Sequence, residues 1–244
     1  MKRIFTFVLL AASAMGIAVN AQRAAEYNMG STGDIKDYNR IGVSYNNTSY
    51  SPNNEAKDDF VEKGWSTNGV GIDYIHGFKL SSSMPMFIET GLNVNFNFGA
   101  KTIYEDYDGG DYYKDKIKMQ NFNFQVPVNY VYRFDVADEF SIAPYVGLNF
   151  KLHLLSKMKF IEESDNETEE SDWANLFSKD DMGEDGTWNR FQMGWHVGVN
   201  FQYSRISLGL QYGTDFIPAF SFKEDDWHAK VNTGNLKLTL GFNL

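Results

Sequence analysis

Residues 86–101 read MFIETGLNVNFNFGAK, and their alternation sets the fold. Met86, Ile88, Thr90, Leu92, Val94, Phe96 and Phe98 share one parity, and Glu89, Gly91, Asn93, Asn95, Asn97 and Gly99 share the other. Successive side chains of a strand point to opposite faces, so sustained period two marks a strand with two unlike sides. Residues 121–134 repeat the pattern, with Phe122, Phe124, Val126, Val128, Tyr130, Tyr132 and Phe134 against Asn123, Gln125, Pro127, Asn129 and Arg133. Residues 190–204 repeat it again, with Phe191, Met193, Trp195, Val197, Val199, Phe201 and Tyr203 against Gln192, Gly194, His196, Gly198, Asn200 and Gln202. Weaker matches at 38–45, 70–80, 141–154, 206–213 and 236–244 bring the expected count to eight strands. The connections 46–66, 101–118, 156–189 and 214–230 are long, while 81–85, 135–139 and 204–205 are short. Short turns on one side and long loops on the other predict an all-β, eight-stranded antiparallel up-and-down transmembrane barrel. Pro127 and Pro144 fall inside strands whose alternation continues past them, so local bends are expected there and no bulges.

Volume settles which face points outward. Eight strands enclose a space barely wide enough for ordinary side chains. The large apolar set cannot fit inside, whereas the Gly, Asn, Gln and Ser of the other parity can. The apolar parity therefore meets lipid. Aromatic residues gather near both strand ends (Phe78, Tyr132, Phe201 and Phe242 at one, Tyr45, Phe98, Phe122 and Phe191 at the other), with Leu92, Val94, Val126, Val128, Leu208 and Leu210 between. Two aromatic girdles around an aliphatic band are what lipid–water interfaces select.

The composition fits this placement. A 16% aromatic share is too high for a disordered chain, and a mean hydropathy of −0.41 is too polar for a bundle of membrane helices. The absence of Cys excludes disulfides, thiol catalysis and Cys-ligated metal. A net charge of −10 argues against a general basic surface for nucleic acid or anionic lipid. Residues 1–21, MKRIFTFVLLAASAMGIAVNA, have a charged start at Lys2 and Arg3, an apolar stretch and a Val19-Asn20-Ala21 cleavage pattern. They predict a signal peptide (1–21), followed by a periplasmic lead-in (22–37) and the barrel domain (38–244).

FQVPVNYVYRF, APYVGLNF and GWHVGVNFQYSRISLGLQYG, with the leader and the eight alternating strands, make the chain resemble the PorT-like outer-membrane β-barrel family of Bacteroidetes-type bacteria. More distantly it resembles the small OmpA/OmpX-type barrels. The resemblance covers nearly all of 38–244. It implies an outer-membrane location, a barrel architecture and, on the PorT side, an accessory role in protein secretion.

The polar parity supplies a candidate lumen: Glu89, Asn93, Asn95, Asn97, Asn123, Gln125, Arg133, Lys151 and His196, with Asp73, Lys79, His153, Arg190 and Lys237 beside them. Neighbouring amides can satisfy one another across the ladder. A hydrogen-bonded polar plug is expected, not a general porin. His153 and His196 invite a lipid-modifying enzyme, but no Gly-x-Ser-x-Gly and no His-x-Ser accompany them. No catalytic residue, cofactor or metal ligand is assigned. Of the 32 acidic residues, 24 fall in the four long connections. These clusters could bind the divalent cations that bridge lipopolysaccharide phosphates, or form a solvated fringe. The apolar residues among them, Trp173, Leu176, Phe177 and Trp188 in 156–189 and Tyr104, Tyr107, Tyr112 and Tyr113 in 101–118, are the candidate partner-binding set. A packed turn at 173–177 is expected to stand above the membrane. The expected function is non-enzymatic, in surface binding or envelope structure. The alternatives are a secretion accessory factor or a lipid-modifying enzyme. The expected partners are outer-membrane lipid, lipopolysaccharide and an extracellular or envelope protein, with no nucleic acid, and the expected state is a monomer.

Overall fold

The computed structural model describes residues 35–59, 64–108, 111–165, 167–183, 186–224 and 227–244. The expected signal peptide and residues 22–34 of the lead-in lie outside the described residues. In chain order the elements are β1 (Tyr38–Pro52), α1 (Asn54–Asp59), β2 (Trp65–Lys79), β3 (Met86–Asp108), β4 (Asp111–Tyr132), β5 (Phe134–Ala137) and β6 (Phe140–Ser164). Then come β7 (Thr168–Glu170), β8 (Ala174–Asn175), α2 (Lys179–Met182), β9 (Phe191–Tyr203), β10 (Ile206–Asp215), β11 (Phe220–Glu224) and β12 (Trp227–Asn243).

Eight of the strands pair antiparallel in the order β1-β2-β3-β4-β6-β9-β10-β12, and β12 returns to pair with β1 from Arg40↔Asn243 to Pro52↔Val231. The sheet is thus a closed ring. The bilayer offers no water to satisfy a free strand edge, so closure is required of a membrane sheet. The short strands β5, β7, β8 and β11 attach to its ends. Val43, Val70, Ile72, Leu92, Val146, Leu208 and Leu240 are all exposed on the outside. Ser44, Asp73, Glu89, Asn93, Asn95, Asn123, Lys151 and His196 are buried inside. At Gly69 and Gly71 an added Cβ would lie 1.9 Å from Asn97 Oδ1 and 2.3 Å from Asn95 Oδ1, so these glycines make room for the amide column. Pairing of β3 with β4 lapses beside Pro127 and resumes in the same register, from Thr90↔Val128 to Asn93↔Gln125. The register shifts lie elsewhere, at Thr102/Tyr104, Phe122/Asn123 and Asp135/Ala137.

The four connections expected as long loops are corrected by the structure. Residues 101–118 are the outer half of the β3–β4 hairpin, paired as far as Asp108↔Asp111. Of 156–189, the first part continues β6 to Ser164, and β7 and β8 then return along its free edge. Residues 214–230 are largely the β11–β12 hairpin, and 46–66 include the end of β1, α1 and the start of β2.

The physical reason is a change of sign in the alternation. On the inner parity, Asn123 and Asn121 of β4 give way to Met119 and Ile117; Thr48 of β1 to Tyr50; Thr67 of β2 to Trp65; Ser156 of β6 to Met158; and Thr233 of β12 to Val231 and Ala229, all buried. On the outer parity, Phe124 and Phe122 give way to Gln120, Lys118 and Lys116, and Tyr45 to Asn47 and Ser49. Once the strands leave the membrane, water lies outside them, and the apolar side must turn inward.

Candidate functional site

The lumen is a stack of largely bonded polar groups between two apolar layers, with Asp73 Oδ2, Asn97 Oδ1, Asn149 Oδ1, His196 Nδ1 and Asn200 Nδ2 left without a hydrogen-bond partner among the described residues. Its floor is Phe87, Val131 and Ile75, all buried. Tyr38 stands edge-on to Phe87 at 5.1 Å, and Arg133 covers that ring at 5.4 Å. Above the floor, Glu89 accepts from Tyr38 Oη at 2.5 Å, Arg40 at 3.0 Å and Asn129 Nδ2 at 3.1 Å. Asn129 Oδ1 lies 2.6 Å from His196 Nε2. Asp73 pairs with Lys237 Nζ at 2.5 Å and accepts from Asn93. The amide column follows: Asn46 Nδ2 to Asn95 Oδ1 at 2.8 Å, Gln125 Nε2 to Asn123 Oδ1 at 3.0 Å, and Asn149 Nδ2 to Gln125 Oε1 at 3.1 Å. At the top, Lys151 Nζ bonds Asp215 Oδ2 at 2.6 Å, with Thr233 and Asn235 donating to the same oxygen. Buried charges persist only when paired and hydrogen-bonded, and these three pairs are. The cavity left among Arg40, Asp73, Pro127, Tyr145, Asn200 and Lys237 is about 30 Å³, room for water and little else.

A cap closes the outer mouth. Tyr50, Ala56, Trp65, Ile117, Met119, Met158, Leu176, Ala219, Phe220, Ala229 and Val231 form one buried apolar cluster, with Ile103, Met182, Trp188 and Phe222 packed on it. Tyr50 and Trp65 stack at 5.1 Å and 9°, and Trp188 lies 5.9 Å from Tyr50. Backbone bonds lock the lid down: Leu176 N–H to Ser156 O at 2.9 Å, Trp188 N–H to Leu176 O at 2.8 Å and Asn189 N–H to Ala219 O at 2.8 Å. Asn121 Nδ2 donates to Tyr50 Oη at 2.8 Å, where the polar lumen ends and the cap begins.

Of the candidate lumen residues, Glu89, Asn93, Asn95, Asn97, Asn123, Lys151 and His196 are buried in the stack and Gln125 is half-buried in it. Arg133 lies at the floor, paired with Asp135 at 3.1 Å, and Lys79 is exposed at its strand end. Among the docking candidates, Leu176 is fully buried and Trp188 packs, partly buried, on the same core. The segment 173–177 is folded onto β6, with Ala174↔Met158 paired; it does not stand clear. Phe177 lies under Arg190 at 4.4 Å, and Trp173 under Lys159 at 5.4 Å. Tyr104 and Tyr113 are exposed at 51% and 47%. Tyr104 Oη donates to Asp106 at 2.9 Å and Tyr112 Oη to Glu105 at 2.9 Å. Tyr107 pairs with Tyr112 across the hairpin. The bond from Tyr112 and the charge of Lys114 hold the Glu105 carboxyl below its usual range, and the bond and charge of Lys159 do the same to Glu170.

The apolar floor escaped the parity reading, although Phe87 and Val131 sit on the polar parity where the sequence already shows them as exceptions. One hydroxyl–imidazole approach was also missed: Ser221 Oγ lies 3.2 Å from His228 Nε2 on the β11–β12 hairpin. Among the described residues no group of three or more His, Asp or Glu is placed to hold a metal.

A family model described as an outer membrane protein beta-barrel domain matches residues 20–221. The chain belongs to this family. It is therefore a barrel of the bacterial outer membrane, and it has no match among the curated proteins. Solved structures with a distant likeness include the attachment invasion locus protein Ail of Yersinia pestis, in complex with the heparin analogue sucrose octasulfate. That pair has 11% identity and a TM-score of 0.34, covering 86% of this chain and 99% of Ail. Neisserial surface protein A has 12% identity and a TM-score of 0.33, covering 84% of this chain and 96% of its own. The outer membrane enzyme PagL has 8% identity and a TM-score of 0.34, covering 80% of this chain and 97% of its own. Likenesses this remote say nothing of what this barrel binds or does.

Proposed function

We propose that this outer-membrane barrel is neither an enzyme nor a channel, and that it serves in surface binding or envelope structure through its folded cap. The observation that carries the reading is the closed interior: a bonded polar stack with a water-sized void, sealed by a buried apolar core. A lumen so filled moves no solute, which leaves the outer surface as the place where contact is made. The contact surface shifts from 173–177 to the sheet formed by β3, β4 and β6 beyond the membrane. One of its faces sets exposed Tyr104, Tyr113 and Phe160 among Asp106, Asp115 and Glu162. Aromatic groups among carboxylates suit a cationic protein segment. The test is surface crosslinking on intact cells. Wild-type protein should capture a partner that a Tyr104→Ala, Tyr113→Ala, Phe160→Ala variant loses, while the variant keeps the gel shift of a folded barrel. Capture at unchanged strength sinks this surface.

A lipid-modifying enzyme is the second reading, favoured by the Ser221–His228 approach alone. Ser221→Ala followed by mass spectrometry of the outer-membrane lipids decides it. A role in secretion rests on the sequence resemblance alone, and a deletion strain that secretes normally would remove it.

A further inference from the structure

The net charge of −10 conceals a basic patch at one height and in one sector of the barrel. Beyond the membrane, the lipid-facing parity of β4 carries Lys118, Lys116 and Lys114 at two-residue spacing, and that of β6 carries Lys157 and Lys159. The register sets Gln120 against Lys157, and Lys118 against Lys159. These five lysines share their face of the sheet with three carboxylates, Glu105, Glu163 and Glu170. Elsewhere the same height is uncharged: Asn47 and Ser49 on β1, and Asn68 and Ser66 on β2, follow the outer girdle there.

Height identifies the ligand. Gln120 and Lys157 lie one step beyond the last lipid-facing apolar residues, Phe122 and Leu155, and Lys118 and Lys159 lie two steps beyond. With a rise of about 3.3 Å per residue and a strand tilt of roughly 40°, that places the three lysines about 5–10 Å above the girdle. The headgroup layer occupies roughly the first 5–8 Å outside the hydrocarbon. The flexible lysine stems lie along apolar surface and can lower their ammonium groups further. Lys118 is 43% exposed, and Lys157 has no carboxylate partner among the described residues. Glu170 spans Lys118 at 3.6 Å and Lys159; the Lys118 bridge joins two half-exposed groups and holds little, whereas Lys159 is largely covered, with Trp173 beside it at 5.4 Å, and must swing out to meet a headgroup.

We propose that Lys118, Lys157 and Lys159 form a site for the phosphate groups of the outer-leaflet glycolipid that packs on the β4–β6 sector. Phe122, Phe124, Leu152 and Leu154 receive its acyl chains, and the lysines neutralise its headgroup directly, without a bridging cation. Glu170 yields to the phosphate, which brings more negative charge and more acceptor oxygens than a carboxylate. The inference needs only the membrane placement of the barrel, and it stands whether or not the opposite face of the sheet captures a protein.

The experiment titrates the purified full chain in detergent micelles with bisphosphorylated lipid A and with the same lipid stripped of both phosphates, in the presence of a chelator. Wild-type protein should prefer the phosphorylated lipid about tenfold, and the preference should shrink as salt rises. Lys118→Gln with Lys157→Gln and Lys159→Gln should abolish it, and Glu170→Gln should strengthen it. Equal binding of the two lipids by wild type, or a preference retained in the triple variant, overturns the proposal. So does competition by inorganic phosphate at the lipid's own concentration, because the site would then take free phosphate. The wild-type comparison and Glu170→Gln decide the matter even if the triple variant fails to fold.

Discussion

The lumen and the cap are two interiors built on the same strands with opposite chemistry. Between the girdles, β4 turns Asn121, Asn123 and Asn129 inward and Phe122, Val126 and Val128 outward. A few residues on, it turns Met119 and Ile117 inward and Lys116 and Lys118 outward. The parity of β4 runs on unchanged, with the irregularity at Phe122/Asn123 taken up in the partner strand β6; what changes is the surrounding solvent. The lumen is held by directional bonds and paired charges, and the cap by apolar burial. They should therefore fail differently.

The sharpest way to break the comparison is to orphan a lumen charge. Asp215→Leu leaves Lys151 buried without its partner, and losing one member of a buried pair costs about 3–5 kcal/mol. Urea unfolding in detergent should show that loss, and Lys151→Leu added to Asp215→Leu should recover much of it. Next comes the cap: Leu176→Ala removes a fully buried side chain and should cost about 2–4 kcal/mol of cap stability. Limited proteolysis should then cut within 156–189 while the barrel still shifts on gels. If the barrel band is lost as well, the two interiors are one cooperative unit and the contrast is false. Tyr50→Phe probes the junction, where the bond from Asn121 is lost and about 1 kcal/mol with it. The smallest effect is on pH. Glu105 and Glu170 have lowered folded values, so their stabilising contacts are present above the usual carboxylate value of 4.5 and fade as pH falls through the lowered ones. Protease protection of the β3–β4 hairpin should decline in that window, and a hairpin equally protected on both sides of it would refute the link.

The barrel was legible because lipid demands an unbroken apolar parity over each crossing, and sequences such as 86–98 and 122–134 supply it. The buried polar residues of the lumen follow from the same parity, whereas Lys79 and Arg133, on that parity too, sit at the strand ends. The cap was not legible. Its core draws Tyr50, Trp65, Ile117, Leu176 and Phe220 from five segments far apart in the chain, none of which carries a sustained apolar parity of its own. Only ring closure brings them together. The acidic density of 156–189 resembles a solvated loop, although Leu176 and Trp188 inside it cover the mouth. The sign change could have been read at Lys114, Lys116 and Lys118, which continue the parity of Phe122 and Phe124 without a break. Ser221 and His228 lie seven residues apart, and only hairpin pairing makes them neighbours.

The bond from Leu244 N–H to Asn39 O, 2.9 Å long, closes the β1–β12 seam at its periplasmic end. Once that seam is zipped, the ring of strands has no first and no last member. A gene rearranged to join 244 to 38 through a short linker and reopened at the 81–85 turn should yield the same barrel, because the turn holds no cap or lumen residue. The place where synthesis starts would then matter to insertion and not to the finished ring.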